Sequence, residues 1–265
     1  MALVLVRGSG DVGSAVALRL REAGHRVVVH DDPRPAHARR GMALTDAFFE
    51  GATTLGGLLA KRARRLEDLP RMAGCDHALP VTDADFPAVA AALRPDALVD
   101  ARMRKHAVPE LLRGLAPLAV GLGPGFVAGE NADIVVETAW GDALGAVIRA
   151  GGARPLDGEP RPIDGHGRDR YVYAAVAGVF RTAHAIGDAV ECGEEVATIA
   201  GSPVRAPLAG ILRGLTHDGA EVRAGAKVVE VDPRGDPAAA FGVGERPDRI
   251  AAGVVAAVAE ALRGR

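Results

Sequence analysis

Cysteine is scarce in this chain: Cys75 and Cys192 are the only two among 265 residues, far apart and outside any Cys-x-x-Cys pair. Neither a disulfide framework nor a cysteine-rich zinc site can be built from them, and a reducing compartment is implied. Lysine is rarer than arginine by an order of magnitude, with Lys61, Lys105 and Lys227 the only lysines among 32 basic residues. Alongside so many alanines, the arginine excess reads as coding bias as much as chemical choice. An excess of charge of one sign is also missing. A formal charge of -2 argues against a protein built to neutralise a phosphate backbone, which needs a basic surplus. No nucleic-acid partner is expected. No apolar run approaches the ~18 residues of a membrane span, and the opening Met1-Ala2-Leu3-Val4-Leu5-Val6-Arg7 is too short for a signal peptide. No membrane partner and a cytoplasmic location are the corresponding expectations.

What is there is ordinary globular composition, 48% hydrophobic and 25% charged, in a length that suits one large or two modest domains. Residues 2–6 form a continuous apolar run, as in a strand buried on both faces of a parallel sheet. A helix pattern through Val12, Val16, Leu18 and Leu20 ends at Gly24, and residues 25–30 supply the next strand. This is a βαβ unit. After a basic, partly helical stretch at 37–65 come a helix at 83–93 and strands at 97–100, 118–121 and 133–136. Residues 1–152 therefore read as an α/β, Rossmann-like nucleotide- or cofactor-binding domain with a parallel sheet.

The character changes after Gly151. Residues 153–170, dense in Gly, Pro, Asp and Arg, read as a linker. Residues 171–235 carry valine-rich strands, glycine turns and a repeat at an offset of 32 residues, pairing Gly178 with Gly210, Gly187 with Gly219 and Gly193 with Gly225. Two similar β-halves forming a small duplicated sandwich are expected. Residues 236–265 close the chain with a helix whose stripe of Ile250, Val254, Val255, Val258 and Leu262 must be buried.

Several motifs offer chemistry. Gly8-Ser9-Gly10-Asp11-Val12-Gly13 has the dinucleotide-fingerprint form between a strand and a helix, where free N–H groups attract phosphate. Asp31 stands at the ribose position of such folds. A second glycine loop carries Gly123 and Gly125, and the cations Arg39, Arg40, Arg102 and Lys105 are suited to an anionic ligand. A bare structural turn or a solvated basic loop accounts for the same residues. Cys75-Asp76-His77 and the trio Asp164, His166 and Asp169 are weak as chemistry, and no metal site is expected.

Together these segments resemble the accessory proteins of the selenium-dependent molybdenum hydroxylase system, distant relatives of the xanthine dehydrogenase accessory proteins. The resemblance rests on Arg7-Gly8-Ser9-Gly10-Asp11, Asp46-Ala47-Phe48-Phe49-Glu50-Gly51, Val99-Asp100-Ala101-Arg102-Met103, the loop 121–126, Val136-Glu137-Thr138 and Asp232-Pro233-Arg234. It implies a role in molybdenum hydroxylase maturation, with binding or modification of the molybdopterin cofactor and a xanthine dehydrogenase-like hydroxylase as partner. Ala139-Trp140-Gly141-Asp142 departs from the family pattern. The repeated segment resembles a biotinyl/lipoyl-like sandwich, but the turn Ala200-Gly201-Ser202-Pro203-Val204 has no acceptor lysine. No biotin or lipoate is expected on it. Alternatives are an NAD(P)-dependent oxidoreductase and a non-catalytic ligand-sensing protein; a nucleotide, as NAD(P) or a CTP moiety, is the other cofactor class. Whether a reaction is catalysed stays open, as does homo-oligomer formation.

Overall fold

An apolar run such as Leu3-Val4-Leu5-Val6 belongs in the middle of a sheet covered on both faces, and a computed structural model, describing residues 1–104, 107–155 and 160–263, places it there. Strand β1 (Leu3–Arg7) leads into helix α1 (Asp11–Glu22) and strand β2 (Arg26–His30). Then come α2 (Ala47–Glu50), the hairpin β3 (Ala52–Leu55) and β4 (Leu58–Arg62), α3 (Leu69–Ala73), β5 (Leu79–Thr82), α4 (Phe86–Leu93), β6 (Ala97–Asp100) and β7 (Ala119–Leu122). The short strands β8 (Val127–Ala128), β9 (Ile134–Val136), β10 (Val147–Ile148) and β11 (Gly151–Gly152) complete this half.

Nine of these strands form one sheet in the order β10-β9-β7-β6-β1-β2-β5-β4-β3. Its interior is parallel, but β3 runs antiparallel to β4 and β10 antiparallel to β9. The edge hairpin arises from Gly56-Gly57, whose φ angles of 56° and 80° suit a tight two-residue turn that a side-chain-bearing residue resists. The stretch 37–65, expected to be partly helical, thus holds a hairpin as well as the four-residue α2.

The second half contains β12 (Tyr171–Tyr173), β13 (Gly178–Arg181), β14 (Ala189–Val190), β15 (Glu195–Ile199), β16 (Ser202–Arg205), β17 (Gly210–Leu215), β18 (Glu221–Val222) and β19 (Lys227–Asp232). They make two four-stranded sheets, β12-β19-β17-β14 and β16-β15-β13-β18. Strands recur at the 32-residue offset, and they exchange: β14 pairs with β17, and β18 pairs with β13. Each repeat completes its sheet with a strand from the other, so neither is a closed unit. Phe180, Ile199, Leu212 and Val229 lie between the sheets, 0–1% exposed.

Helix α5 (Glu245–Arg263) returns to the first half. Its Ile250, Val254 and Val258, at most 1% exposed, share a core with Val12, Val16 and Leu20 of α1; burying each such side chain contributes about 1.5–3 kcal/mol. Helices α3 and α4 cover the opposite face of the sheet through Leu69, Val89 and Leu93. The architecture is therefore α/β, with a large mixed sheet and a C-terminal helix built into its layer. It replaces the expected parallel Rossmann-like sheet followed by a biotinyl/lipoyl-like sandwich, because hairpin and return strands close both sheet edges in antiparallel fashion.

Candidate functional site

A cleft of about 2240 Å³ lies between the loops after β1, β2 and β6 and the β12–β19 sheet. Among the described residues, eleven arginines and one lysine line it against five carboxylates. That imbalance is chemically directed, because cations gathered in a concave, partly desolvated space attract anions far more strongly than they do on an open surface.

At its floor the charges form a chain. Asp11 opens α1, accepts from the Val12 N–H at 3.0 Å and takes the Arg39 guanidinium at 3.1 Å. Arg39 then grips Glu230 of β19 in bidentate fashion, at 2.7 and 3.0 Å. Glu230, fully buried, also receives Arg170, and the Lys227 ammonium at 3.1 Å. Lys227 Nζ stands 4.5 Å from the centre of the Tyr171 ring, whose hydroxyl accepts from Arg170 at 2.7 Å. Burial opposes the charge on Asp11 and on Glu230, but Arg39 above all outweighs it and holds both carboxyls well below the usual range. Burial, then Arg39, pushes Lys227 down to about 8 against the pull of Glu230.

Two arginines of the cleft lack comparable partners. Arg213 reaches Asp232 only at 3.5 Å, and Asp232 is already held by Arg234 at 2.6 Å. The Arg213 Nε is buried without an acceptor. Arg246 donates to the Thr138 carbonyl at 2.8 Å and has no ion pair among the described residues. Burial, reinforced by Arg39, pushes both guanidiniums below the usual arginine range.

The first glycine loop is filled by the protein. Gly8 N–H bonds the His30 carbonyl at 2.7 Å, while the N–H and hydroxyl of Ser9 bond Asp31 at 2.6 and 2.7 Å. Asp31 thus faces inward, away from any ribose. His37 sits over the start of α1, accepting from the Asp11 N–H at 3.1 Å; burial keeps its pKa below the ordinary value, which leaves the ring neutral as that hydrogen bond requires. A Cβ on Gly10 would stand 3.0 Å from the His37 ring, and one on Gly13 would stand 1.9 Å from the Gly8 carbonyl oxygen. At Gly10 the space in front of the loop is taken by the His37 ring, while the approach at Gly13 is the close helix–strand packing that the fingerprint itself requires.

Of the described residues expected to bind a cofactor, only Asp11 and Arg39 line the cleft. Arg40 is spent on Asp46 and the Leu215 carbonyl, both at 2.7 Å. Arg102 is neutralised by Asp100 and Glu110, the latter also paired with Arg7. Lys105 falls outside the described residues. Gly123 packs on Thr138 and Gly125 on Pro109. Convergence of Arg39, Arg40 and Arg102 on one ligand does not occur: each is paired with internal carboxylates, and only Arg39 lines the cleft. Lys227, Glu230, Arg170, Tyr171, Arg213, Arg246 and His37 were not singled out by the sequence; Glu230 and Asp232 within the apolar strand Lys227–Asp232 were the available signal. His166 pairs with Asp169 at 2.5 Å in an exposed loop, and no metal-holding group of three or more His, Cys, Asp or Glu occurs among the described residues. No described helix is long and apolar enough to cross a membrane.

No known family model matches the chain. It is 35% identical over 256 residues to the uncharacterized protein YqeB of Escherichia coli K12, covering 97% of this chain and 47% of that protein. The chain thus spans about half the length of the curated relative it matches. Among solved structures it is similar to the product-bound ectoine utilization protein EutE (DoeB) of Ruegeria pomeroyi, at 15% identity and a TM-score of 0.26 over 88% of this chain and 85% of that one. It is also similar to a succinylglutamate desuccinylase of a Silicibacter species, at 14% identity and a TM-score of 0.25 over 87% and 84% of the chains. A putative succinylglutamate desuccinylase/aspartoacylase family protein of Shewanella amazonensis gives 12% and 0.25 over 88% and 91%. TM-scores this low assign no activity. The expected resemblance to molybdenum hydroxylase accessory proteins is nevertheless corrected: no family model matches the chain, the curated relative is uncharacterized, and Arg39, Arg40 and Arg102, meant for molybdopterin, do not converge. The maturation role and the hydroxylase partner go with it.

Proposed function

We propose that the chain binds a small molecule bearing two or more phosphate or carboxylate groups in the cleft between the mixed sheet and the β12–β19 sheet. One observation carries this reading. Arg213 and Arg246 are half-buried at the cleft wall, and among the described residues neither is matched by a carboxylate of its own. A buried charge without a partner is costly, so a bound anion recovers free energy that the empty cleft leaves unclaimed. Arg39, Arg170 and Glu230 serve as the rigid floor, because their mutual ion pairs fix side chains that would otherwise lose entropy on binding.

The test is a calorimetric titration with inorganic pyrophosphate at low ionic strength. Arg213→Ala and Arg246→Ala each remove one charge-assisted contact, worth about 1.5–3 kcal/mol, so each should weaken binding by about 10- to 100-fold. Binding should also weaken as salt is added. Undetectable pyrophosphate binding, or both variants binding as the parent does, overturns the reading.

A further inference from the structure

Lys227 differs from the other cations of the cleft in what surrounds it. The one carboxylate it pairs with among the described residues, Glu230, is already saturated: Arg39 takes both oxygens and Arg170 takes one of them again. The ammonium is thus the third cation on one buried carboxylate. Its other face lies against the Tyr171 ring, while the amine still opens to the cleft, where its side chain is 31% exposed. An amine crowded by guanidiniums and partly desolvated sheds its proton more readily than one in water, and a free amine is a nucleophile toward carbonyl carbon.

We propose that Lys227 is a nucleophilic amine that condenses with the carbonyl group of an anionic molecule held in the cleft, a phosphate-bearing aldehyde or ketone. The proposal rests on the anion-binding reading above for delivery of the carbonyl. The nitrogen lone pair attacks the carbonyl carbon and forms the C–N bond. The C–O bond breaks and the carbonyl oxygen leaves as water with two protons, both from the nitrogen when the product is the neutral imine, or one from the nitrogen and one from solvent when it is the protonated imine. The product is an imine, protonated or neutral according to pH, and no electrons are gained or lost. Arg213 and Arg246, which lack full partners, supply the charge that places the phosphate. The effect of the surroundings has a signature, since burial and Arg39 bring the amine down to about 8.

The chain's three lysines make the test clean. Intact protein is exposed briefly to pyridoxal 5′-phosphate, reduced with borohydride to fix any imine, digested and mapped by mass spectrometry. Lys227 should carry the main adduct. Its labelling rate should level off near pH 8. Pyridoxal without its phosphate should label Lys227 at least tenfold more slowly, and saturating pyrophosphate should protect it. These readouts use the unmodified chain, so they do not depend on the folding of Lys227→Met, which should lose the main adduct. Labelling of Lys61 as fast as Lys227 at pH 8, or no Lys227 adduct, overturns the proposal. If pyrophosphate binds by calorimetry but Lys227 stays unlabelled, the amine proposal alone falls. A Lys227 adduct without pyrophosphate binding sustains the amine and removes the anion reading.

Discussion

Glu230→Gln is the sharpest perturbation of the charge chain. The side chain is fully buried and accepts from Arg39 twice, from Arg170 and from Lys227. Glutamine keeps the shape but removes the charge, and its NH2 group turns a donor toward donors. Arg39 would retain Asp11. Arg170, 2% exposed, would keep the Tyr171 hydroxyl and the Arg161 carbonyl as acceptors but no carboxylate partner among the described residues. Removing one member of a buried ion pair costs about 3–5 kcal/mol, a large part of the about 5–15 kcal/mol that holds a typical domain. The pH dependence gives a second, independent reading. Arg39 and Lys227 outweigh burial and hold Glu230 well below its ordinary value of 4.5. The unfolded chain therefore binds the proton first as pH falls. The stability from Glu230 is fully present above about 4.5 and is lost as pH drops through that value toward the lower folded one. Urea denaturation at pH 7 and at several points below pH 5 measures both effects. The variant should be less stable by about 3–5 kcal/mol at pH 7, and its acid slope should be shallower by up to one proton, about 1.4 kcal/mol per pH unit. A loss under about 1 kcal/mol with the parent's acid slope would refute the argument that these ion pairs are strongly coupled.

Two further outcomes follow from the fold. Ile250→Ala should cost about 2–5 kcal/mol by leaving a cavity between α5 and α1, measured as a fall in urea midpoint at unchanged m-value; a cost below about 1 kcal/mol would mean that α5 does not share the core. His37→Gln keeps an acceptor over the Asp11 N–H while removing a group whose pKa burial lowers from 6.5. Because the unfolded form binds that proton first, parent stability should fall as pH drops below about 6.5, and the variant should show a slope smaller by up to about 1.4 kcal/mol per pH unit. His25 and His30, also lowered chiefly by burial, supply the rest of that slope, and an unchanged slope would show that His37 is not buried as the structure places it.

Periodicity exposed the elements that bury apolar faces. The run Leu3-Val4-Leu5-Val6, the stripe of α1 and the stripe Ile250, Val254 and Val258 fall where their 2- and 3.6-residue patterns demand. The hairpin at Gly56-Gly57 is legible by turn chemistry, two glycines between short strands, where the expectation was a partly helical stretch. Long-range pairing was not legible. Nothing local says that Asp31 turns inward to Ser9, that His37 covers the start of α1, or that Arg40 and Arg102 are neutralised by Asp46 and Asp100. A glycine fingerprint states that backbone approaches something closely. It does not state whether that something is a phosphate or a histidine from the same chain.

The internal repeat contains the signal that was missed. Duplicated halves share residues where both need the same turn or core contact, so positions at which they differ in charge mark what one half does alone. At the 32-residue offset, Lys227 replaces Glu195, Glu230 replaces Thr198, Asp232 replaces Ala200 and Gly214 replaces Thr182. All four substitutions fall on β17 and β19, adjacent strands of one sheet. Gly214 lies opposite Glu230, and a Cβ there would stand 2.9 Å from the Glu230 Cβ. The small residue thus makes room for the buried carboxylate, and that carboxylate collects Arg39 from the first half of the chain. The other copy has no counterpart: its Glu195 is exposed and pairs with Arg205. The first repeat lacks these charges, while β17 and β19 of the second carry the ones that tie it to the mixed sheet and floor the cleft. The site is therefore a property of the junction, which explains why neither half read alone disclosed it.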